Sequence, residues 1–437
     1  MTKPWSEPEK QPLKRLEVTD GLLINSKKWQ IAHNYHHQRQ NLHYQSLNQA
    51  GIVCGLGVHL FKKTGTRTEY EFVLKFQPGI AIDRYGNCII LEQEREKVIA
   101  AQVIPGESLL VYFVISYKDP SQLKNLDGEV TEEYEIKERT DPPQENEVEL
   151  CRVNLTASKN VKVADNVFSP QDNELDFRYR YPAKWRSLSI IRTAIYNTNS
   201  KEWQEVFSDN LQPSNFSYLL QSLDQIYPAL GTLKISNKSS LNSLSECDLI
   251  SLNDQQFQNF QQQQIDDIKK YLKTGGVILI EHSTKAKEIG QFMQIKQELQ
   301  QDIINIGEEV ELNDDREILL DELKQITDRL ESIIKNIAEF YDQKFKTNLQ
   351  SIEQLKNHPL RNTPFLFDQL PSINKQPILI LNCEGIIVVI GNLSSAWGLN
   401  GNLSLSREAI RSAQEMGTNI LHFAWHRREL TQLVKQL

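Results

Sequence analysis

The chain has 437 residues, enough for two or three domains that each bury their own core. Its formal net charge of −8 argues against nucleic acid as the main partner, since that needs a basic face. The five cysteines, Cys54, Cys88, Cys151, Cys247 and Cys383, are odd in number and scattered. They form no C-x-x-C pair, which speaks for a reducing compartment with no disulfide frame or zinc knuckle. The start, Met1 to Leu16, is polar and Pro-containing and does not read as a signal peptide. No apolar run approaches the roughly 20 residues of a membrane helix. The expected setting is cytoplasmic, within a large assembly, and any docking on a membrane would go through a partner.

Residues 1–19 read as an arm without a core of its own, suited to packing on a neighbouring subunit. Ser26 to Gln49 reads as a helix crowded with histidines, His33, His36, His37 and His43, interleaved with Trp29, Tyr35 and Tyr44. His33 and His37 are spaced i,i+4, but no Glu, Asp or Cys nearby completes a metal set at familiar spacing. The rings instead predict a face that packs on a sheet or a partner.

Gly51–Leu60 and Pro78–Leu91 alternate apolar residues with glycines at the corners, the pattern of short twisted strands joined by tight turns. Arg84-Tyr85-Gly86-Asn87 is a hairpin turn, with Gly86 free to take positive φ and Asp83 placed to accept from backbone amides. Glu71–Phe76, Leu109–Tyr117 and Val148–Leu155 are further strand candidates. Lys124 to Glu147 contains an exposed loop, since Asp141-Pro142-Pro143 cannot continue a strand. These segments define a β-rich assembly module over 20–159, followed by a linker over 160–185 with little periodicity.

The texture then changes. Leu188–Tyr196, Cys247–Leu252, Val277–Glu281, Ile378–Leu381 and Ile386–Ile390 read as strands. They alternate with helices at Phe216–Tyr227, at Asp254–Thr274 before Gly275-Gly276, and at Ser404–Met416 before Gly417. Asn419–Trp425 reads as a closing strand. This is a mostly parallel sheet covered on both faces. It spans 186–286 and 350–437 and is interrupted by 287–349. There Leu319, Leu323, Ile326, Leu330, Ile333, Ile337 and Phe340 keep a 4-3-4-3 spacing, the seam of a coiled coil. Phe292, Leu299, Ile303, Ile306 and Val310 form a looser seam upstream, and Asn313-Asp314-Asp315 can turn the chain. The predicted insertion is an antiparallel helical hairpin projecting about 35–45 Å. The fold class is therefore α+β multidomain: an N-terminal β-rich module with a leading helix, then an α/β parallel-sheet domain interrupted by a coiled-coil hairpin.

The helix, the Gly51-Ile52-Val53-Cys54-Gly55-Leu56-Gly57-Val58 strand and the Pro-Gly-x-Ala-Ile-Asp-x-x-Gly hairpin together resemble a module of phage-tail-like contractile injection system clusters. That resemblance covers about 70 residues and implies a structural part at or capping the baseplate. It further implies a homo-oligomeric ring with baseplate, tube or sheath proteins as neighbours. The C-terminal half carries a resemblance of its own. His358-Pro359-Leu360, the two strands at 378–390, Ser395-Ala396-Trp397-Gly398, Gly417-Thr418-Asn419-Ile420 and the helix–Gly275-Gly276–strand unit look like an uncharacterised bacterial domain family. That family has a glutamine-amidotransferase-like, flavodoxin-like fold, and the resemblance implies a fold without an activity.

Amidotransferase chemistry needs a cysteine on a sharp strand-to-helix elbow, with a His and an acid nearby. Cys383 leads through Glu384-Gly385 into another strand, Cys247 begins a strand, and nothing in the sequence selects His358, His422 or His426 as a base. Glu281-His282 ends a strand where the fold tends to carry an acidic pair, as a polar or metal ligand or as a bond to the next loop. No Walker loop, G-x-S-x-G or dinucleotide fingerprint is present. No catalytic, cofactor or metal residue is therefore assigned. The expected function is a non-enzymatic structural subunit. The alternatives are a hydrolase or amidotransferase using the C-terminal cleft, and a glycan- or partner-binding module using the Trp397 loop or the first helix. The interaction candidates are Trp29, Tyr35, His36, Leu323, Leu330, Ile337 and Trp397.

Overall fold

The computed structural model describes residues 11–64, 70–118, 132–157, 160–187, 189–206, 214–232, 243–283, 286–306, 313–374, 376–398 and 405–435. The chain divides into two compact units, Met1–Arg186 and Ser187–Leu437. Among the described residues no helix is long and apolar enough to cross a membrane.

The first unit begins with helix α1 (Ser26–Leu47), capped by the Asn25 carboxamide, which accepts from the Lys28 amide at 2.9 Å. Among the described residues eleven strands follow: β1 (Gly51–Gly55), β2 (Val58–Thr64), β3 (Tyr70–Phe76), β4 (Gly79–Ile82), β5 (Cys88–Leu91), β6 (Arg95–Val98), β7 (Ser108–Lys118), β8 (Glu133–Arg139), β9 (Glu147–Thr156), β10 (Lys162–Val163) and β11 (Glu174–Asp176). They form sheets ordered β1-β4-β5, β2-β3-β6 and β10-β11-β9-β7-β8. Apolar residues from all three enclose one core, among them Leu56, Phe76, Ile89, Phe113, Leu150 and Leu175. The alternation of each strand supplies one inward face.

The glycine corners of this unit are places where two backbones cross. Gly55 has φ +63, and a Cβ there would sit 2.1 Å from the Pro78 carbonyl oxygen. The crossing is fixed from far along the chain: Arg180 donates to the Leu56 carbonyl at 2.7 Å and to the Gly55 carbonyl at 2.6 Å. Asp83 takes the role expected of it. Its Oδ1 accepts from the amides of Tyr85 (2.9 Å) and Asn87 (2.8 Å) across the β4–β5 turn.

The boundary between units differs from the sequence expectation. Residues 160–185 are no linker: β10 and β11 extend the five-stranded sheet, and bridges Asn48↔Trp185 and Ile52↔Pro182 tie the segment to the start of the unit. Strands of two and three residues are too short to show periodicity, and this is why the segment read as irregular.

The second unit starts with β12 (Ser189–Ile191) and β13 (Thr193–Asn197), followed by β14 (Glu202–Glu205), α2 (Asn215–Ile226) and β15 (Leu230–Thr232). Next come β16 (Leu249–Asn253), α3 (Asp254–Gln258), α4 (Gln262–Lys273) and β17 (Val277–His282). The hairpin helices α5 (Ala286–Ile306) and α6 (Asn313–Phe345) precede β18 (Gln350–Ser351), α7 (Pro359–Asn362), β19 (Ser372–Ile373), β20 (Gln376–Pro377), β21 (Leu379–Cys383), β22 (Ile386–Ile390) and α8 (Arg407–Lys435).

Seven strands form one sheet in the order β14-β13-β16-β17-β22-β21-β18, with β13, β16, β17 and β22 mutually parallel. β12 runs into β13 across Arg192 and pairs in parallel with β15. The parallel order β15–β12/β13–β16–β17–β22 is then 2-1-3-4-5 in chain order, the doubly wound arrangement of flavodoxin-like sheets. Period-2 alternation divides the sheet's side chains between its faces. Leu249, Val277, Leu279, Ile387 and Val389 meet α2 and α8 residues such as Leu219, Met416 and Ile420. Ile250, Ile278, Ile280, Val388 and Ile390 share the opposite core with Phe257, Ile268, Ile337 and Tyr341.

Two helical expectations change. The run Asp254–Thr274 is two helices broken at Asn259–Gln261, each with a capping box. Gly417 does not stop a helix before a closing strand, because α8 runs through it to Lys435. A Cβ at 417 would lie 2.7 Å from Leu219 and 3.0 Å from the Trp397 indole nitrogen. The glycine lets α8 approach α2 closely, while Ile420, Leu421 and Ala424 bury at helical spacing.

The hairpin is present, but its lower part belongs to the core. α6 is about 50 Å long at 1.5 Å per residue. Leu330, Ile333, Ile337, Tyr341 and Phe345 are buried in the core cluster of the sheet's face. Leu319, Leu323 and Ile326 are only half-buried. The stretch from Asn313 to Arg329, roughly 25 Å of helix, is the part left outside that core. Asn313-Asp314-Asp315, expected to turn the chain, instead form the start of α6, and residues 307–312 before them lie outside the described residues.

Candidate functional site

Parallel α/β sheets present ligand-binding side chains at the carboxyl ends of their strands. Here that edge carries Glu281 and His282 at the end of β17, with Asp254 following β16. Neighbouring strand residues point to opposite faces, so the two do not act together. Glu281 turns to the loop after β22, accepting from the Ser394 amide at 2.8 Å and from the Ser394 hydroxyl at 2.5 Å. Burial raises its carboxyl pKa above the usual range, and the Ser394 bonds oppose that shift. His282 turns to the hairpin. Its Nδ1 lies 3.1 Å from the Tyr341 hydroxyl and 3.8 Å from Asp254 Oδ2. His282, Tyr341 and Asp254 are all buried. The cluster ties the base of α6 to the strand ends, and Glu281 holds the next loop.

His358, His422, Cys383 and Cys247 also serve the fold. His358 caps α7: its Nδ1 accepts from the Leu360 amide at 3.2 Å, which leaves Nε2 to donate to Asn382 Oδ1 at 3.1 Å. Burial lowers its pKa. His422 lies edge-on to Tyr227 at 5.7 Å, and burial lowers its pKa too. Cys383 ends β21 opposite Ile386 in a β-hairpin, and buried Cys247 precedes β16 with its thiol pushed up to about 12 by desolvation. Neither stands on a strand-to-helix elbow. A cavity lined by Ile191, Arg192, Thr193, Glu205, Val206, Leu220 and Thr232 offers about 20 Å³, room for one water. Among the described residues no group of three His, Cys, Asp or Glu side chains could hold a metal.

The interaction candidates separate sharply. Trp397 is 3 % exposed, its Nε1 donates to the Ala413 carbonyl at 2.8 Å, and its ring meets Phe216 edge-on at 5.5 Å. It is a core residue, which corrects its reading as a ligand-loop aromatic; residues 399–402 of that loop lie outside the described residues. Leu330 and Ile337 are likewise buried in the parent core and offer no seam to a partner, whereas Leu323 is half-buried.

The first helix is the opposite case. None of its 22 residues is buried. Trp29 is 55 % exposed and packs edge-on to His33 at 5.3 Å. Half-buried Tyr35 accepts from Arg39 at 3.1 Å and lies edge-on to exposed His36. His37 stacks on Tyr117 of β7 at 6.3 Å, and Asn41 donates to Asn87 Oδ1 at 2.8 Å, so His33 and His37 have different neighbours. Ahead of the helix, Val18, Leu23 and Ile24 are exposed as well.

No protein-family model, no curated protein and no solved structure matches the chain.

Proposed function

We propose that the chain is a structural, non-enzymatic subunit of a contractile, phage-tail-like injection machine, at or capping its baseplate, that works by assembling into a ring. The observation that carries this reading is α1, a 22-residue helix with no buried residue and an outward Trp29. Helices draw most of their stability from packing an apolar face, and a partner surface would provide what α1 lacks. The resemblance of the following Gly51–Leu91 module to injection-machine proteins supplies the class of machine. The doubly wound domain is the rigid block from which the hairpin reaches a lateral neighbour. Baseplate, tube and sheath proteins are the partners, and membrane docking is indirect.

The test is purification of particles from cells carrying a tagged copy of the chain. Co-purification with sheath and tube proteins, with ring-shaped density at one particle end, is the expected result. A chain found only as a monomer and absent from purified particles would overturn the reading.

A further inference from the structure

Two of the regions that the chain leaves uncovered have opposite charge. α1 contains Lys27, Lys28 and Arg39, four histidines and no acidic residue. Two of its lysines occupy the first turn, the wrong end for the helix's own dipole, where an anionic neighbour would be stabilising. The outer hairpin is the counterpart. Its described residues, 298–306 and 313–328, contain eight acidic and two basic residues, a net −6. Each region also exposes large apolar side chains: Trp29 and Ile31 on α1, and Ile304, Ile318 and Leu320 on the outer hairpin. Along α1, Trp29, His33 and His36 follow at i, i+4 and i+7, which places them on one stripe.

We propose that α1 of one copy docks on the outer half of the α5–α6 hairpin of a second copy of this chain. Trp29 would pack on Leu320, one turn from Glu317 on the same side of α6, and the long side chains of Lys27, Lys28 and Arg39 would face Glu317, Asp321 and Glu322. Charge complementarity selects this occupant over a nucleic acid or an anionic bilayer. The outer hairpin repels both, and neither would cover its exposed isoleucines. The contact joins two different surfaces, so it is heterologous and propagates from copy to copy until it closes a ring. It deepens the ring-assembly reading by naming the two faces.

The experiment uses the purified full chain, with mass followed by light scattering and sedimentation. Wild type is expected to form a closed oligomer at low salt, with the dissociation constant rising at least about tenfold between 50 and 500 mM NaCl as the exposed charges are screened. Lys27→Glu/Lys28→Glu/Arg39→Glu and, separately, Glu317→Lys/Asp321→Lys/Glu322→Lys are each expected to leave monomers with unchanged circular dichroism. Mixing the two variants is expected to restore an alternating oligomer, because each variant's α1 now matches only the other's hairpin, and combining all six substitutions in one chain restores the oligomer as well.

Failure of the combined variant to reassemble overturns the pairing of these faces, as does an oligomer indifferent to both triple reversals. A wild-type monomer that binds phosphatidylserine vesicles through α1 overturns it in favour of a membrane. The wider reading fails separately. A chain that is monomeric but present in particles defeats the self-contact alone, whereas one that self-associates but is absent from particles defeats the machine assignment alone.

Discussion

Two long helices, α1 and α6, solve the same problem in different ways. α6 has 33 residues, and its lower half, Leu330 to Phe345, is embedded beside the parallel sheet. α1 has 22 residues and buries none of them. The first is held by its own chain's hydrophobic core, and the second by a cap, a stacked ring, the Asn41–Asn87 bond and Arg186, which donates to the Leu47 and Gln45 carbonyls. The difference teaches that helical length says nothing about whether a helix serves the fold or a neighbour; the burial of its apolar stripe does.

The comparison can be broken most strongly at Trp397, which stands with α6 on the side of the core. Trp397→Ala should cost about 3–5 kcal/mol of the second unit's stability, measured by urea denaturation. A loss below about 1 kcal/mol would return Trp397 to the surface class. Within α6 a gradient should appear. Ile337→Ala is expected to cost about 2–5 kcal/mol, but Leu323→Ala in the half-buried outer seam should cost about 1 kcal/mol or less. Equal losses at both sites would mean that the whole hairpin is core-supported.

A pH series sharpens the same contrast at the foot of the sheet. There Asp248 accepts from the Arg192 amide at 2.8 Å and pairs with Arg428 at 3.3 Å, yet burial pushes its carboxyl up to about 6. A raised carboxyl favours the protonated folded state. Its stabilising contribution is therefore complete below about 4, the unfolded value, and is lost as pH rises through about 6. Thermal melts of wild type and Asp248→Asn between pH 4 and 7 should diverge by this slope, and parallel curves would refute the assignment. The smallest effect belongs to α1. Trp29→Ala should change stability by no more than about 0.5 kcal/mol while weakening self-association in sedimentation. A large loss of stability would show that α1 is part of the fold after all.

Much of the architecture was legible because it follows from periodicity. The 4-3 spacing from Leu319 to Phe340 located α6, and the apolar runs at 277–281 and 386–390 located two central parallel strands. What periodicity could not show was which partner a stripe would meet. Leu330 and Ile337 carry the same spacing as Leu323 but face the sheet. Trp397 sits among Gly, Asn and Ser residues that suggest a loop, yet its ring turns inward, beside Phe216 and the α8 backbone. Gly417 looked like a stop because a lone helical glycine usually weakens a helix. Its reason is the close approach of Leu219, a contact nearly 200 residues away in sequence. For the candidate surface, the aromatic and histidine content of α1 was visible in the sequence. That no side chain of α1 is buried could be learned only once the strands beside it were in place.

The Arg180 clamp across Gly55 and Leu56 also sets an order of events during synthesis. The crossing of β1 and β4 is made early in the chain, but the side chain that fastens it, together with the bridges at Pro182 and Trp185, is added only at the end of the first unit. A nascent chain therefore carries its glycine-cornered hairpins unfastened until Arg186 has been made, and contacts of such long sequence separation slow folding. Translation would have to pass the unit boundary before the first unit could close, making residues 160–186 its latch.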